Sequence, residues 1–234
     1  MEQDKLNLLS GYASKLLRKN FGRGPQSCQS TACGHFIFIY VRGFISPMEE
    51  ILLKEGKRNE VEKARAVIVN HLVEELKGVI KVAFEGDVEE FYTDWNLPNN
   101  SGMILFVLEK AIAHDGPQHD MDLKGIEAEV SRISEIVQKV PDRTLTHVLS
   151  ASVCLAEREG ILIPIEKALI SKGFEDQLLL TKDELEKSYF HRQGVFDHLF
   201  QSPVRDIFID WNFKADKSFI AFVVNKPPEV SIRA

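Results

Sequence analysis

The spacing of apolar positions predicts alternating helices and strands along the first half of the chain. Apolar residues recur at helical spacing near the start, at Leu6, Leu9, Ala13, Leu16 and Leu17. Glycine and proline in the segment 20–25 end that helix. Two strands are expected next, over 26–32 and 36–44, with a turn near Gly34. The all-apolar run 36–41 indicates a strand that is covered on both faces or lies in the middle of a sheet.

The following segment predicts two helices and a hairpin. Ser46 is a good N-cap and Pro47 suits the first helical position, so a short helix starts here and ends near Gly56. A longer helix has apolar residues on one side, at Val61, Ala64, Ile68, Leu72 and Val79. Strands over 88–95 and 103–108 flank a turn-rich loop, which indicates a hairpin.

The second half of the chain repeats much of the first. The segment 88–96 returns as 204–212, and the segment 43–49 returns as 160–166. A repeat of this length indicates a whole folded unit rather than a short solenoid motif. The second half is therefore expected to contain a helix over 126–140, strands over 144–150 and 152–161, a helix from Pro164, a long helix over 185–200, and a hairpin of 204–211 with 218–224.

These elements predict an α+β fold of two tandem homologous domains. Each domain has the order α-β-β-α-β-β, with a mostly antiparallel sheet covered by helices on one face, which makes a two-layer domain. The first domain is expected over 1–112 and the second over 122–234. The polar segment 113–121, which contains glycine and proline, is the expected linker.

Composition and charge narrow the class of protein. A chain of 234 residues with 44% hydrophobic and 27% charged residues is typical of a globular protein. The net charge of -6 argues against a broad nucleic-acid-binding face. We expect no transmembrane segment, since no apolar run reaches the roughly 20 residues needed to span a bilayer. We expect no signal peptide, because the first residues lack a basic region followed by an apolar one. Three cysteines, an odd number, favour a reducing cytoplasm.

The sharpest shared feature is an Asp-Trp-Asn element, which is Asp94-Trp95-Asn96 in the first half and Asp210-Trp211-Asn212 in the second. An acid, an indole and an amide could line a binding pocket. They could equally be structural, with tryptophan anchoring the core and the polar residues satisfying turn amides. We favour the structural interpretation and keep the six residues as binding candidates.

A basic cluster forms the second candidate. Arg18, Lys19 and Arg23 lie at the end of the first helix, where glycine turns and arginine could hold a phosphate, a carboxylate or an acidic lipid. The dipole of the helix alone also explains cations at a C-terminus. The cluster does not match a phosphate-binding loop, and the second half keeps it only in part.

No metal or cofactor is expected. Cys28, Cys33 and His35 are zinc-ligand types, but structural zinc normally needs four ligands at matched spacing. Two His-Asp pairs, His114-Asp115 and His119-Asp120, lie in the expected linker, where a precise site is hard to hold. Because the motifs of hydrolases, metalloproteases and nucleotide-binding enzymes are absent, we expect the protein not to be an enzyme.

The chain resembles the MpsC-type domain, a bacterial domain long labelled as of unknown function. The similarity rests on the segment 16–25, on the helix start 43–50 and on the hairpin 94–104. It covers nearly the whole chain, although the second half is divergent and lacks the Phe-Gly-x-Gly-Pro segment. The family is named for a cation-translocating, membrane-potential-generating system, whose membrane proteins have also been linked to inorganic-carbon uptake.

The resemblance implies a non-enzymatic accessory or regulatory protein that acts beside membrane transporter subunits, in the cytoplasm or at the membrane periphery. The alternative is a small-molecule sensor with a pocket between the two domains, which the paired Asp-Trp-Asn elements motivate. An enzyme that uses Asp94 and Asp210, or the His-Asp pairs of the linker, ranks third. The apolar strand 36–41 could also form the edge of a homodimer.

Overall fold

The computed structural model describes residues 2–112 and 121–225. The chain divides into two compact units, Met1–Asp115 and Gly116–Ala234. Each unit combines helices with one antiparallel sheet, which confirms the predicted α+β class in two halves. Apart from Met121, the expected linker lies outside the described residues. Within the described ranges, no helix is both long enough and apolar enough to cross a membrane.

Residues 2–112 of the first unit form three helices and three strands. In chain order they are α1 (Glu2–Phe21), β1 (Ser27–Arg42), α2 (Pro47–Lys54), α3 (Arg58–Phe84), β2 (Val88–Asn96) and β3 (Ser101–Ile112). All strand pairs are antiparallel, in the order β1-β3-β2. The predicted apolar face of α1 is buried and packs with Ile37, Ile39 and Ile104 of the sheet. Each fully buried leucine contributes roughly 1.5–3 kcal/mol through removal of apolar surface from water.

The two strands predicted over 26–32 and 36–44 are a single strand. Gly34 has a φ of 56°, and the register with β3 shifts between Gly34 and Phe36. Glycine therefore marks an irregularity within β1 rather than the turn of a hairpin. The run Phe36–Val41 is buried throughout, as predicted, but β1 lies at the edge of the three described strands rather than in the middle.

The buried face of α3 differs from the predicted one. Ala64 is exposed, and Ile68 and Val79 are only partly buried. The residues buried on this helix are Val61, Arg65, Val69, Leu72, Val73, Leu76 and Ile80. The buried face shares Val61 and Leu72 with the predicted one, but it also contains the charged residue Arg65, which an apolar pattern does not count.

The part of the second unit that the structure describes, residues 121–225, forms four helices and four strands. They are α4 (Leu123–Val137), β4 (Arg143–Ser150), β5 (Val153–Glu159), α5 (Pro164–Ser171), α6 (Glu175–Gln193), α7 (Phe196–Leu199), β6 (Val204–Asn212) and β7 (Lys217–Val224). The sheet is antiparallel throughout, in the order β4-β5-β7-β6.

The long helix predicted over 185–200 was placed too late in the chain. It begins at Glu175 and ends at Gln193, and a separate short helix follows. Gly194 forms the break, where a Cβ would lie 2.3 Å from the ring of Phe196. The Val195 amide then donates to Glu129 Oε1 at 3.0 Å, which gives the interrupted backbone a buried acceptor.

In the first unit, a polar residue at the tip of the β2–β3 hairpin holds the segment that leads into α2. Asn100 lies in the left-handed region with a φ of 50°. Its Oδ1 accepts from the amides of Phe44 and Ile45, at 2.8 and 3.0 Å. Its carbonyl accepts from the amide of Gly43 at 2.8 Å. The hairpin tip therefore fixes the segment that leads into α2.

Asp216 has the same position in the second unit. Its φ is also 50°, and its Oδ1 accepts from the amides of Ile161 and Leu162 at 2.8 and 2.7 Å. Its carbonyl accepts from Gly160 at 2.8 Å. Burial alone would raise the pKa of Asp216, but the hydrogen bonds from Lys167 and from the Leu162 and Ile161 amides hold it below its usual range.

Candidate functional site

The Asp-Trp-Asn element of the first unit ends strand β2. Asp94 Oδ1 accepts from the Trp95 amide at 2.6 Å, and Asn96 Oδ1 accepts from the Asn99 amide at 3.2 Å. The Trp95 side chain is 9% exposed and belongs to the core cluster under the helices. The two polar residues therefore support the turn locally, while the indole enters the core.

The matching element of the second unit has the same contacts. Asp210 Oδ1 accepts from the Trp211 amide at 2.7 Å, and Asn212 Oδ1 accepts from the Ala215 amide at 3.2 Å. Trp211 is 8% exposed and also belongs to a core cluster. In both units the hairpin thus places an indole beneath the helices.

A buried arginine lies against Trp95, and sequence reasoning missed it. The guanidinium carbon of Arg65 is 4.0 Å from the ring centre of Phe44, 4.3 Å from that of Phe21 and 4.6 Å from that of Trp95. Each distance is within cation–π range. Arg65 is 1% exposed. Helix α1, the start of α2, helix α3 and the hairpin therefore meet around one cation.

Glu49 neutralises this cation. Its Oε1 lies 2.7 Å from Arg65 Nε, and its Oε2 accepts from Nη2 at 3.3 Å. The same carboxylate accepts from the Ser46 amide at 2.8 Å, which completes a capping box at the start of α2. Burial lowers the pKa of Arg65, and Glu49 opposes that shift. Arg65 Nη1 has no hydrogen-bond acceptor among the described residues.

The second unit has a lysine and a glutamate in the same places. Lys182 Nζ of α6 lies 3.1 Å from Glu166 Oε1 of α5 and 5.9 Å from the ring centre of Trp211. Gln138 takes the place of Phe21, and its Oε1 accepts from Lys182 at 2.6 Å. A polar amide therefore replaces part of the aromatic lining found in the first unit.

A second buried cation extends this cluster. Arg158 of β5 donates to Ser218 Oγ at 2.8 Å, to Ser134 Oγ at 3.0 Å and to Glu186 Oε2 at 2.7 Å. Lys182 Nζ lies 3.0 Å from the other oxygen of Glu186. Burial raises the pKa of Glu186, but the two cations outweigh it and hold this pKa below its usual range.

Each cluster is electrically balanced and closed to solvent. Arg65 faces one carboxylate in the first unit, while Arg158 and Lys182 face Glu166 and Glu186 in the second. Paired charges in a dry interior neutralise one another and hold helices in place. The arrangement therefore fixes α2 and α5, and the cations and carboxylates point to each other rather than to a substrate.

The basic cluster at the end of α1 lies on the surface. Arg18, Lys19 and Arg23 are exposed. Arg23 Nη1 donates to the carbonyl of Ile45 at 3.4 Å, just before α2, and Lys19 Nζ lies 4.0 Å from Glu75. The structure thus places Arg23 beside the start of α2, while the buried cluster holds Trp95 in the core.

The cysteine and histidine candidates are not drawn together as ligands. His35 is exposed and its Nδ1 donates to the carbonyl of Leu108 at 2.9 Å. Burial raises the pKa of the Cys28 thiol to about 12. In the described ranges, no group of three or more His, Cys, Asp and Glu side chains could hold a metal ion. His114, Asp115, His119 and Asp120 lie outside the described residues.

A comparison with known protein families finds one family that matches the first unit. The family described as Na+-translocating membrane potential-generating system (MpsC) matches residues 3–110. The first unit is therefore an MpsC-type domain, as the sequence resemblance implied. No curated protein and no solved structure matches the chain.

Proposed function

We propose, from the premise that residues 3–110 form an MpsC-type domain, that this protein is a non-enzymatic accessory or regulatory protein of a membrane ion transport system. The family match is the observation that carries the proposal, since the family takes its description from a Na+-translocating system. The protein would act in the cytoplasm or at the membrane periphery, with membrane transporter subunits as its partners. The sequence resemblance adds inorganic carbon as a second candidate for the species that this system transports.

The state of the candidate acids supports a non-enzymatic role. Asp94 and Asp210 each accept a hydrogen bond from the next backbone amide of their strand. Glu49 and Glu186 face buried cations. A general acid or base must reach the proton that it transfers, and these four carboxylates are engaged in holding the fold.

We also infer that the second unit is a divergent copy of the first. The buried pairs Glu49–Arg65 and Glu166–Lys182 are separated by the same number of residues, and both join a short helix to the following long helix. Asn100 and Asp216 bind equivalent backbone amides with the same left-handed φ. Shared contacts at shared spacing support a duplication better than similar element order alone.

Isolation of the protein from its own membranes tests the proposal. A tagged full-length chain, produced at its native level, is purified in mild detergent and the retained proteins are identified. We expect at least one polytopic ion-transport subunit to be retained in a stoichiometric amount. A tagged cytoplasmic protein of similar size and charge, expressed in the same way, serves as the control.

Deletion of the gene tests whether the protein is needed for ion transport in the cell. We expect the deletion to change Na+ efflux or membrane potential, and the full-length chain to restore it. The proposal fails if no transport subunit is retained and if the deletion leaves both the ion fluxes and inorganic-carbon uptake unchanged. A purified chain that turns over a small-molecule substrate, with loss of turnover in Asp94→Asn or Asp210→Asn, would contradict the non-enzymatic part.

A further inference from the structure

We propose that the first unit binds anionic lipid surfaces through a patch formed by Met48, Ile51, Arg18 and Arg23, called here the α2 patch. The patch combines two exposed apolar side chains of α2 with two arginines near the end of α1. This inference goes beyond the accessory role, because a lipid contact needs no transporter subunit.

Both apolar side chains of the patch are exposed. Met48 is 69% exposed and Ile51 is 63% exposed. They are three positions apart on α2, so both side chains lie on the same side of the helix. Single exposed apolar residues are common on protein surfaces, so these two indicate a binding surface only in combination with nearby charges.

Two arginines supply those charges. Arg23 reaches the carbonyl of Ile45, one residue before the N-cap of α2. Arg18 packs against Gly24, with its Nε 2.8 Å from the position that a Cβ there would occupy. Among the described residues, neither arginine forms an ion pair with a carboxylate. Glu50, which lies between Met48 and Ile51 on α2, pairs with Lys54 at 3.3 Å.

The patch is held in place before any lipid binds. The buried pair of Glu49 and Arg65 joins α2 to α3, and the capping box with Ser46 closes the first turn. Phe21, which lies between Arg18 and Arg23 in the chain, packs against Arg65 with its ring centre 4.3 Å from the guanidinium carbon. Binding therefore loses little conformational entropy, because the backbone that presents the four side chains is already ordered.

The chemistry of the patch favours a lipid headgroup layer over a protein partner. A stable protein interface buries about 800 Å² on each partner, which needs far more than two apolar side chains. A bilayer surface accepts shallow insertion of a few apolar side chains, and arginine binds phosphate through paired hydrogen bonds. Anionic lipid adds attraction for each uncompensated cation near the surface.

The second unit provides an internal comparison. Ile165 follows the first residue of α5, as Met48 follows that of α2, and is 62% exposed. The positions that match Arg18 and Arg23 are Glu135 and Val140, and Lys139 pairs with Asp142 at 2.9 Å. An exposed apolar residue is thus present at this position in both units, but the second unit has no arginine at the positions that match Arg18 and Arg23.

Sedimentation of the full-length chain with lipid vesicles tests the proposal. The probes are vesicles of phosphatidylcholine alone and vesicles that also contain about 30% phosphatidylserine. We expect binding to the anionic vesicles only, and its loss when the salt concentration approaches about 1 M, where charges are screened beyond roughly 3 Å. The double variants Met48→Ser/Ile51→Ser and Arg18→Ala/Arg23→Ala should each lower the apparent partition constant by about tenfold or more.

Ile165→Ser is the matched control and should bind as the parent chain does. Fluorescence of Trp95 and Trp211 and the denaturant midpoint show whether each variant is folded. The proposal is overturned if the parent chain does not bind anionic vesicles, or if Ile165→Ser weakens binding as much as the α2 patch variants. Binding to native membranes but not to pure lipid would also overturn it and would point to a protein receptor. Because no transporter is present, failure here leaves the transport role standing.

Discussion

Arg65 and Glu49 form a buried ion pair in the first unit, with Arg65 Nε 2.7 Å from Glu49 Oε1. Lys182 and Glu166 make the corresponding contact in the second unit at 3.1 Å. In both units a glutamate in the first turn of a short helix is joined to a cation of the next helix. Removing one partner of such a pair leaves the other charge buried and uncompensated.

Glu49→Gln should therefore destabilise the first unit strongly. Glutamine keeps the size of the side chain and a carbonyl oxygen for the Ser46 amide, but it removes the charge that faces Arg65. We expect a loss of about 3 kcal/mol or more in the free energy of unfolding. Urea unfolding followed by tryptophan fluorescence in a Trp211→Phe background, where Trp95 reports on the first unit, measures it.

Glu62→Gln is the control for this substitution. Glu62 pairs with Arg58 at 2.6 Å, but the two side chains are 23% and 41% exposed. We expect the free energy of unfolding to change by less than about 1 kcal/mol, because two solvent-exposed charges are nearly as stable when each is hydrated separately. Equal effects of Glu49→Gln and Glu62→Gln would show that burial adds nothing to the Arg65 pair.

The charged residues of the two cores mark the limit of what the sequence predicts. Apolar spacing located α1, because its buried face contains only apolar residues. The starts of α2 and α5 were located by Ser46 with Pro47 and by Pro164, which are helix-start signals. Apolar spacing placed the long helix of the second unit too late, because Lys182 and Glu186 interrupt the apolar pattern of α6. The repeat itself contained the missing signal. The number of residues that separates Glu49 from Glu166 also separates Arg65 from Lys182, so Lys182 could have been aligned with Arg65.

Acid should weaken the second unit through Glu186. Its folded-state pKa is held below the usual range by Arg158 and Lys182, against the effect of burial. A lowered pKa stabilises the folded state above the unfolded pKa of about 4.3, and this stabilisation is lost as the pH falls through the folded value. We therefore expect the unfolding free energy to decline below about pH 4.3.

Glu186→Gln isolates that contribution. The variant should be less stable than the parent chain at neutral pH and should approach it in acid, because the group that titrates has been removed. Urea unfolding from pH 7 downwards, followed by Trp211 fluorescence in a Trp95→Phe background, gives both curves. Glu184→Gln, on the exposed side of the same helix, should run parallel to the parent. Parallel curves for Glu186→Gln would refute the assignment.

Two of the three thiols should react slowly in the folded protein. Burial raises the pKa of Cys28 to about 12, and burial together with Glu127 raises that of Cys154 to about 12. At pH 8 only about one molecule in ten thousand would then carry either thiolate, which is the reactive form. In a Cys33→Ser variant, we expect a disulfide reagent to label the native chain far more slowly than the urea-unfolded chain. Labelling at the unfolded rate would show that these sites open freely.

The hairpin tips give the most direct test of equivalence between the units. Asn100 and Asp216 each use one oxygen to accept from two consecutive backbone amides, and both have a φ of 50°. Asn100→Ala removes the acceptor and leaves a left-handed residue without a stabilising side chain, so we expect a loss of about 2–4 kcal/mol in unfolding free energy. Asn100→Asp keeps the acceptor that the second unit uses, and its cost should stay below about 1 kcal/mol. The urea midpoints of the two variants measure this difference. If Asn100→Asp destabilised the chain as much as Asn100→Ala, the side-chain oxygen would not be what holds the segment before α2.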